Sequence, residues 1–175
     1  MELVAEVIQS NGNALIFTQY REMGTVLQRV LEKRLHRDIP FYHGGLARNQ
    51  RDRLVADFQR PYGPPMMIVS LKAGGTGLNL TRANHVFHYD RWWNPAVEDQ
   101  ATDRTFRIGQ TRDVTVHRMV CQGTLEEQIH QLRQEKRKLA NKVVGSGETW
   151  LSELDDATLH ELVNLGSDAV LEEEA

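Results

Sequence analysis

The sequence predicts an α/β fold with a parallel sheet whose strands are joined by helices. Five short apolar runs rich in strand-forming residues alternate along the chain with helix candidates. Such alternation is typical of parallel sheets with short right-handed crossover connections. In addition, the glycine-rich and polar motifs of the chain follow the strand candidates. They should therefore lie at the carboxyl ends of the strands, where open α/β sheets bind their ligands.

The first half of the chain contains three helix candidates and two strand candidates. An amphipathic helix is predicted over residues 1–10, a buried strand over 13–17 and a second helix over 22–37. The apolar spacing of the second helix predicts that four residues share its buried face: Val26, Leu27, Val30 and Leu31. A short strand over 39–42, a His43-Gly44-Gly45 turn and a helix over 47–60 complete this half.

The second half carries the strand candidates 66–69, 85–89 and 114–120. Before the last of these, Asn94 as N-cap and Pro95 in the first turn predict a helix to residue 108, which stops at Gly109. Thr124 and Glu127 have the spacing of a capping box at the start of a long helix. We expect a lobe over residues 1–122, a long helix and linker over 123–147, and an acidic tail with a short helix over 148–175.

Composition restricts the class of protein. A chain of 175 residues with 40% hydrophobic and 26% charged residues can build one globular domain with a sizeable core. The sequence lacks a run of about eighteen apolar residues and a signal-peptide pattern at its start, so we expect no membrane partner. Cys121 is the only cysteine. No intrachain disulfide is therefore possible, and a reducing compartment fits: the cytoplasm, or the nucleus in a eukaryote.

Charge is distributed unevenly along the chain. Residues 148–175 hold nine of the 24 acidic residues and none of the 21 basic ones, so the preceding 147 residues carry a net charge of +6. A basic body with an acidic tail is compatible with a nucleic-acid partner. A solvated surface of ordinary charge is equally compatible with these numbers.

The glycine-rich stretch after the third strand candidate suggests an anion site. Residues 70–77 contain three glycines, which allow the backbone to approach a ligand closely and to turn its N–H groups towards a phosphate. A plain strand-to-helix turn explains the same glycines. Neither the dinucleotide fingerprint nor the Walker A pattern is complete in this chain.

Two arginines on the helix candidate over 95–108 suggest a second kind of phosphate contact, made by side chains rather than by backbone N–H groups. Gln100, Arg104 and Arg107 are spaced four and three apart, which predicts one common helix face. Planar guanidinium groups suit the γ-phosphate in a phosphoryl-transfer site. The alternative is a solvated face on which neighbouring carboxylates pair with the arginines.

The order of these motifs resembles the Swi/Snf family of ATP-dependent DNA translocases in helicase superfamily 2. The segment QATDRTFRIGQ over residues 100–110 resembles helicase motif VI, SLKAGGTGLNLT over 70–81 motif V, and DRWWNP over 90–95 motif Va. Likewise, ALIFTQY resembles motif IV and FYHGGLARNQRDRLVADF motif IVa. Phe106 departs from the pattern, because the family commonly has histidine there; we expect it to change packing rather than mechanism.

The resemblance implies the second RecA-like lobe of a two-lobed motor, followed by a C-terminal helical extension that braces the lobe. Because the chain has no Walker A lysine and no Walker B acid, ATP and Mg²⁺ would be bound mainly by a first, N-terminal RecA-like lobe of the same polypeptide. Arg104 and Arg107 would be arginine fingers. The resemblance also places four residues near the nucleotide: Gly75, Gly77, Gln100 and Asp103.

The same resemblance implies double-stranded DNA as partner and a monomeric motor. It assigns eleven residues to the nucleic-acid path: Thr18, Gln19, His43, Gly44, Arg48, Arg51, Ser70, Lys72, Gly74, Trp92 and Trp93. For the tryptophans core packing is an alternative role, and for the arginines a solvated helix. We expect no metal site of the protein's own, because His85 and His88 are three apart on a strand and face opposite sides.

Two other functions are compatible with parts of the pattern. A lobe of an RNA helicase would share the fold and the arginines, although such helicases generally lack the R-I-G-Q ending of motif VI. A non-enzymatic nucleotide-binding module of Rossmann type would need its glycine loop after the first strand, and here the loop follows the third.

Overall fold

A computed structural model describes residues 2–74, 78–90, 95–106, 109–124, 126, 127 and 130. The chain divides into two compact units, Met1–Met119 and Val120–Ala175. The first unit contains every strand of the described chain. No helix among the described residues is long and apolar enough to cross a membrane.

Five parallel strands form the sheet of the first unit, which confirms the predicted fold class. They are β1 (Ala14–Thr18), β2 (Phe41–Tyr42), β3 (Met66–Ser70), β4 (His85–His88) and β5 (Thr115–Arg118), in the spatial order β2-β3-β1-β4-β5. The central strands β1 and β3 are buried along their whole length, as continuous apolar runs in a parallel sheet require.

The described part of the first unit has five helices, of which the first precedes β1 and the other four connect successive strands. They are α1 (Glu2–Gln9), α2 (Arg21–Leu35), α3 (Arg48–Gln59), the single turn α4 (Leu71–Gly74) and α5 (Pro95–Thr102). Alternate strand residues point to opposite faces of the sheet, and each face has its own apolar cluster. One cluster joins α1 and α2 to residues such as Ile16 and Ile68, whereas the other joins α3, α4 and α5 to Leu15 and Met67.

The predicted buried face of α2 is only half correct. Leu27 and Leu31 are buried, but Val26 and Val30 are 51% and 47% exposed. The third buried position on this face is Gly24. A Cβ at Gly24 would lie 2.2 Å from the ring of Phe41, so the ring occupies the space that a side chain would need. The helix therefore packs along Gly24, Leu27 and Leu31.

Helix α5 ends at Thr102, six residues earlier than predicted. Beyond it the backbone bonds tighten to three-residue spacing, with N–H groups of Arg104 and Thr105 donating to the carbonyls of Ala101 and Thr102. The hydroxyl of Thr105 donates to the Thr102 carbonyl as well, at 2.6 Å. Side-chain bonds of this kind compete with the helical pattern. The glycine expected as the stop, Gly109, does adopt a positive φ of 107°.

A single arginine secures the segment between α3 and β3. The guanidinium of Arg82 donates at 2.6–3.2 Å to four backbone carbonyls, those of Phe58, Pro61, Gly63 and Pro64. Burial lowers the pKa of this guanidinium from its ordinary value. The proline- and glycine-rich connection is thus fixed by one side chain that supplies several donors.

The described part of the second unit contains the start of a helix. The carboxylate of Glu127 accepts the N–H of Gly123 at 2.7 Å, and the N–H of Glu126 donates to the hydroxyl of Thr124 at 3.3 Å. The capping box predicted between Thr124 and Glu127 is therefore wrong in its partners: the Glu127 carboxylate caps the N–H of Gly123, and the Thr124 hydroxyl accepts the N–H of Glu126. The remainder of the predicted long helix, the linker and the acidic tail lie outside the described residues.

Candidate functional site at the carboxyl edge of the sheet

The motif residues that end the strands lie along one edge of the sheet. Thr18 is in register with Ser70, and Phe17 with His88, so β1, β3 and β4 end side by side. Strand β2 ends beside β3, where Tyr42 is in register with Val69. The structure therefore brings together the ends of the strands that carry motifs IV, IVa and V, beside the strand that leads into motif Va.

Asp90 joins motif IV to the start of motif Va. Its carboxylate accepts a hydrogen bond from the hydroxyl of Thr18 and a second one, at 2.8 Å, from the backbone N–H of Gln19. Thr18 is fully buried and Asp90 nearly so. The Thr18 hydroxyl consequently holds the Asp90 segment against the end of β1. Asp90 was not among the predicted site residues, although its place directly after a strand candidate is the signal that could have identified it.

Ser70 and Lys72 differ in their access to solvent. Ser70, the last residue of β3, is buried, whereas Lys72 on α4 is exposed. A lysine placed in this way keeps its charge in water and can reach an anion at the edge of the sheet. Gly74 ends α4. Gly75 and Gly77 lie outside the described residues, as do Trp92 and Trp93.

At the end of β2, the His43–Gly45 turn is followed by basic residues of α3. Gly44 is exposed and has open space around it. The guanidinium carbon of Arg51 lies 6.0 Å from the centre of the Tyr42 ring, a cation–π distance. Arg48 lies 3.9 Å from Asp52, and both side chains are largely exposed. That ion pair is weak, so Arg48 can exchange it for another anion.

Motifs V and VI are joined by a backbone hydrogen bond at Arg104. The backbone N–H of Leu80 donates to the carbonyl of Arg104 at 3.1 Å. Arg104 itself is only 6% exposed. The segment that contains the first predicted arginine finger is thus bonded to the segment that follows the glycine loop.

Gln110 strengthens this connection from the end of motif VI. Its side-chain Nε2 donates to the carbonyls of Ala83 at 2.8 Å, Thr81 at 2.9 Å and Thr105 at 3.3 Å. Its Oε1 accepts the N–H of Arg112 at 3.0 Å, which fixes the orientation of the amide. Gln110 was missed by sequence reasoning, because nothing in a glutamine's own sequence context indicates which distant carbonyls it contacts.

Helix α5 is held by an ion pair and by a buried hydrogen bond. Arg118 at the end of β5 lies 3.7 Å from Glu98, which is almost fully buried, and 3.6 Å from Asp99. The hydroxyl of Thr102 donates to the Glu98 carbonyl at 3.0 Å and lies 2.9 Å from Nε2 of His88. Because the single hydroxyl proton is used, Nε2 of His88 must be the donor. These bonds fix the helix that leads into Arg104.

The remaining predicted residues of motif VI differ in exposure. Gln100 and Asp103 are exposed, whereas Arg104 is buried. Phe106 is 54% exposed, and the expectation that it changes packing rather than mechanism stays a prediction. Arg107 lies outside the described residues.

The histidines of β4 face opposite sides of the sheet, as predicted. Nδ1 of His85 lies 3.3 Å from Nε2 of His117, whereas His88 contacts Thr102 on the other side. Burial lowers the pKa of both His85 and His117, and the positive charge of Arg112 lowers that of His85 further. Among the described residues, no group of three or more histidine, cysteine or acidic side chains could hold a metal ion.

Comparison with known proteins confirms the family resemblance. The helicase conserved C-terminal domain family matches residues 1–109. The chain is 50% identical over 169 residues to the putative ATP-dependent helicase/translocase YwqA of Bacillus subtilis, which covers 97% of this chain and 18% of that protein. The chain thus spans about a fifth of the length of that curated relative.

Comparison with solved structures shows that the fold is similar to that of helicase-type ATPases. The SWI2/SNF2 ATPase core domain of Sulfolobus solfataricus matches with a TM-score of 0.78 at 42% identity, covering 95% of this chain and 34% of that one. The same ATPase core in complex with dsDNA matches with a TM-score of 0.78 at 41% identity, covering 95% and 35%. The parallel sheet therefore has the RecA-like α/β fold of the SWI2/SNF2 ATPases.

Proposed function

Because this chain belongs to the helicase conserved C-terminal domain family and its relatives are SWI/SNF-type ATP-dependent helicases, we propose that it is the second motor lobe of an ATP-dependent translocase on double-stranded DNA. The observation that carries the proposal is the bonding of motif V to motif VI. Leu80 is bonded to Arg104, and Gln110 to Thr81 and Ala83. A motor lobe needs such a connection if events at the nucleotide are to move the DNA-binding loops.

Double-stranded DNA is the nucleic acid that the comparisons favour. The 41% identical ATPase core from Sulfolobus solfataricus is described as a complex with dsDNA. Exposed cations at the carboxyl edge, among them Lys72 and Arg48, suit the phosphates of a duplex backbone. Motif residues that are buried, such as Thr18 and Ser70, would act by holding the backbone of these loops in place.

ATP and Mg²⁺ would be held mainly by a first lobe that this sequence does not contain. ATP supplies the phosphoanhydride bond whose hydrolysis drives the motor. From this lobe, Arg104 and Arg107 would direct guanidinium groups at the γ-phosphate and stabilise the charge that develops there. Gln100 and Asp103 are exposed and would orient these groups, and Gly75 and Gly77 would lie near the nucleotide.

The burial of Arg104 fits a preorganised donor. A guanidinium that its own lobe already holds loses little conformational freedom when the nucleotide arrives. Substitution of Arg104 should consequently lower stability as well as turnover, whereas an arginine with a purely exposed side chain would lower turnover alone.

The test is ATP turnover by the full-length protein with duplex DNA, with duplex RNA and without nucleic acid. We expect strong stimulation by duplex DNA alone, and no turnover by the 175-residue fragment, which lacks a Walker A lysine. Stimulation by RNA in place of DNA would instead support an RNA helicase lobe. A full-length protein that binds ATP but shows no turnover in all three conditions would support a non-enzymatic nucleotide-binding module.

A further inference from the structure

We propose that Arg21 and His43 form a subsite for one phosphate of the nucleic-acid backbone, where Arg21 supplies the charge and His43 an uncharged N–H donor. Arg21, the first residue of α2, was not among the predicted site residues. The inference rests on the proposed function, because it adds one contact to the nucleic-acid path at the carboxyl edge.

The two side chains border the same small space above Gly45. A Cβ built on Gly45 would lie 3.0 Å from Nη1 and 3.2 Å from Cζ of Arg21, and 3.1 Å from Nδ1 of His43. The absence of a side chain at Gly45 thus lets the guanidinium and the imidazole approach the same stretch of backbone. Arg21 follows β1 and His43 follows β2, so both residues lie at the carboxyl edge of the parallel sheet.

The orientation of His43 is fixed by its neighbours. The backbone N–H of Gly45 donates to Nδ1 at 3.1 Å, so in the neutral ring the proton is on Nε2. The ring also packs on Phe41, with 4.8 Å between the ring centres. Burial, and then the charge of Arg21, lower the pKa of His43. Near neutral pH the imidazole therefore presents an N–H donor without a charge.

Arg21 has a charge that no carboxylate neutralises in the described part of the chain. Its side chain is exposed, and the ion pairs found among the described residues involve other arginines, such as Arg48 with Asp52. The guanidinium approaches the same Gly45 position as Nδ1 of an imidazole whose proton is on Nε2, so the two side chains offer a phosphate group a planar cation and one N–H donor. Exposed Lys72 on α4 lies at the same edge, so the subsite would continue a row of cations.

The experiment measures binding of the full-length protein to a short DNA duplex over a salt series of about 50–200 mM. Loss of one phosphate contact should reduce the magnitude of the slope of log K against log salt by about 0.9, and weaken binding about eightfold at 0.1 M salt. Arg21→Gln should show both effects. His43→Gln should weaken binding but leave the slope unchanged, because it removes no charge.

Arg34→Gln is the matched control. Arg34 is exposed in the last turn of the same helix, so its substitution changes the net charge equally, roughly 20 Å further along the helix axis. A slope for Arg21→Gln equal to that of the wild type or of Arg34→Gln would overturn the inference. Wild-type protein that fails to bind duplex DNA would overturn the proposed function itself, which is a distinguishable result.

Discussion

The amide of Gln110 should be essential for the connection between motifs V and VI, and Gln110→Glu is the substitution that tests this. The change preserves the shape of the side chain and the oxygen that accepts the Arg112 N–H. It replaces the nitrogen that faces the carbonyls of Thr81, Ala83 and Thr105 by a carboxylate oxygen. Three carbonyl oxygens would then face a negative charge without a proton between them.

The expected loss of stability follows from the number of hydrogens on the Gln110 amide nitrogen. An amide nitrogen has two hydrogens, so two of the three contacts can be full hydrogen bonds at any time. Each contributes about 0.5–1.5 kcal/mol net, and the carbonyls lose a donor in a half-buried site. We expect the free energy of unfolding to fall by about 2–3 kcal/mol. The midpoint of the thermal transition in which this lobe unfolds should fall by roughly 4–12 °C, as expected for a domain of its size.

Two measurements are needed, thermal unfolding and DNA-stimulated ATP turnover, both in the full-length protein. Gln28→Glu is the matched control, because Nε2 of Gln28 also donates to a carbonyl, that of Ile39, at 2.7 Å. The control should lose stability but retain its turnover at a temperature where both variants are folded. Gln110→Glu should lose at least tenfold in turnover there, since motif VI is no longer held in place.

A folded Gln110→Glu variant that turns over ATP at the wild-type rate would show that the Gln110 amide is not needed to connect motifs V and VI. The same conclusion would follow if both substitutions lowered turnover to the same extent, because loss of general stability would then be sufficient to explain the effect.

Two further predictions concern stability. Because the pKa values of His85 and His117 are lowered in the folded state, the unfolded chain binds more protons as pH falls below about 6.5, so stability should decline from pH 7.5 to 5.5. Substituting both histidines by asparagine should flatten that decline in denaturant titrations, and an unchanged pH dependence would show that other groups cause it. Gly24→Ala should destabilise the lobe by about 1–3 kcal/mol despite the better helix propensity of alanine, because the new methyl group would overlap the Phe41 ring. Gly44→Ala, where open space surrounds the position, should be tolerated in the same thermal assay.

The sheet could be predicted from the sequence because its strands are continuous apolar runs separated by glycine, proline and polar turns. Strands such as β3 are buried on both faces, so nearly every side chain contributes to the pattern. The motif residues then fall at one edge as a geometric consequence of parallel strands. The sequence could therefore predict which residues lie at that edge, but not the hydrogen bonds and ion pairs that they form there.

The errors arose where one residue's position depends on a distant one. Val26 and Val30 have a helical spacing as regular as that of Leu27 and Leu31, and only the Phe41 ring against Gly24 determines which pair is buried. A glycine has no hydrophobic signal, so the pattern could not reveal this packing. Asp90 and Gln110 were missed for the same reason, since most of their hydrogen-bond partners are 27 to 72 residues away along the chain.

The most direct test of the motor-lobe proposal is DNA-stimulated ATP turnover after substitution of Arg107 in the full-length protein. An arginine finger contributes about 10³–10⁵ in turnover, so Arg107→Ala should nearly abolish hydrolysis while ATP and DNA binding change far less. Arg107→Lys should be almost as damaging, because an ammonium group cannot reproduce the planar fork. Arg104→Ala should lose turnover likewise and also unfold at a lower temperature, as its buried side chain requires. An Arg107→Ala variant that stays within about tenfold of the wild-type turnover would contradict the account.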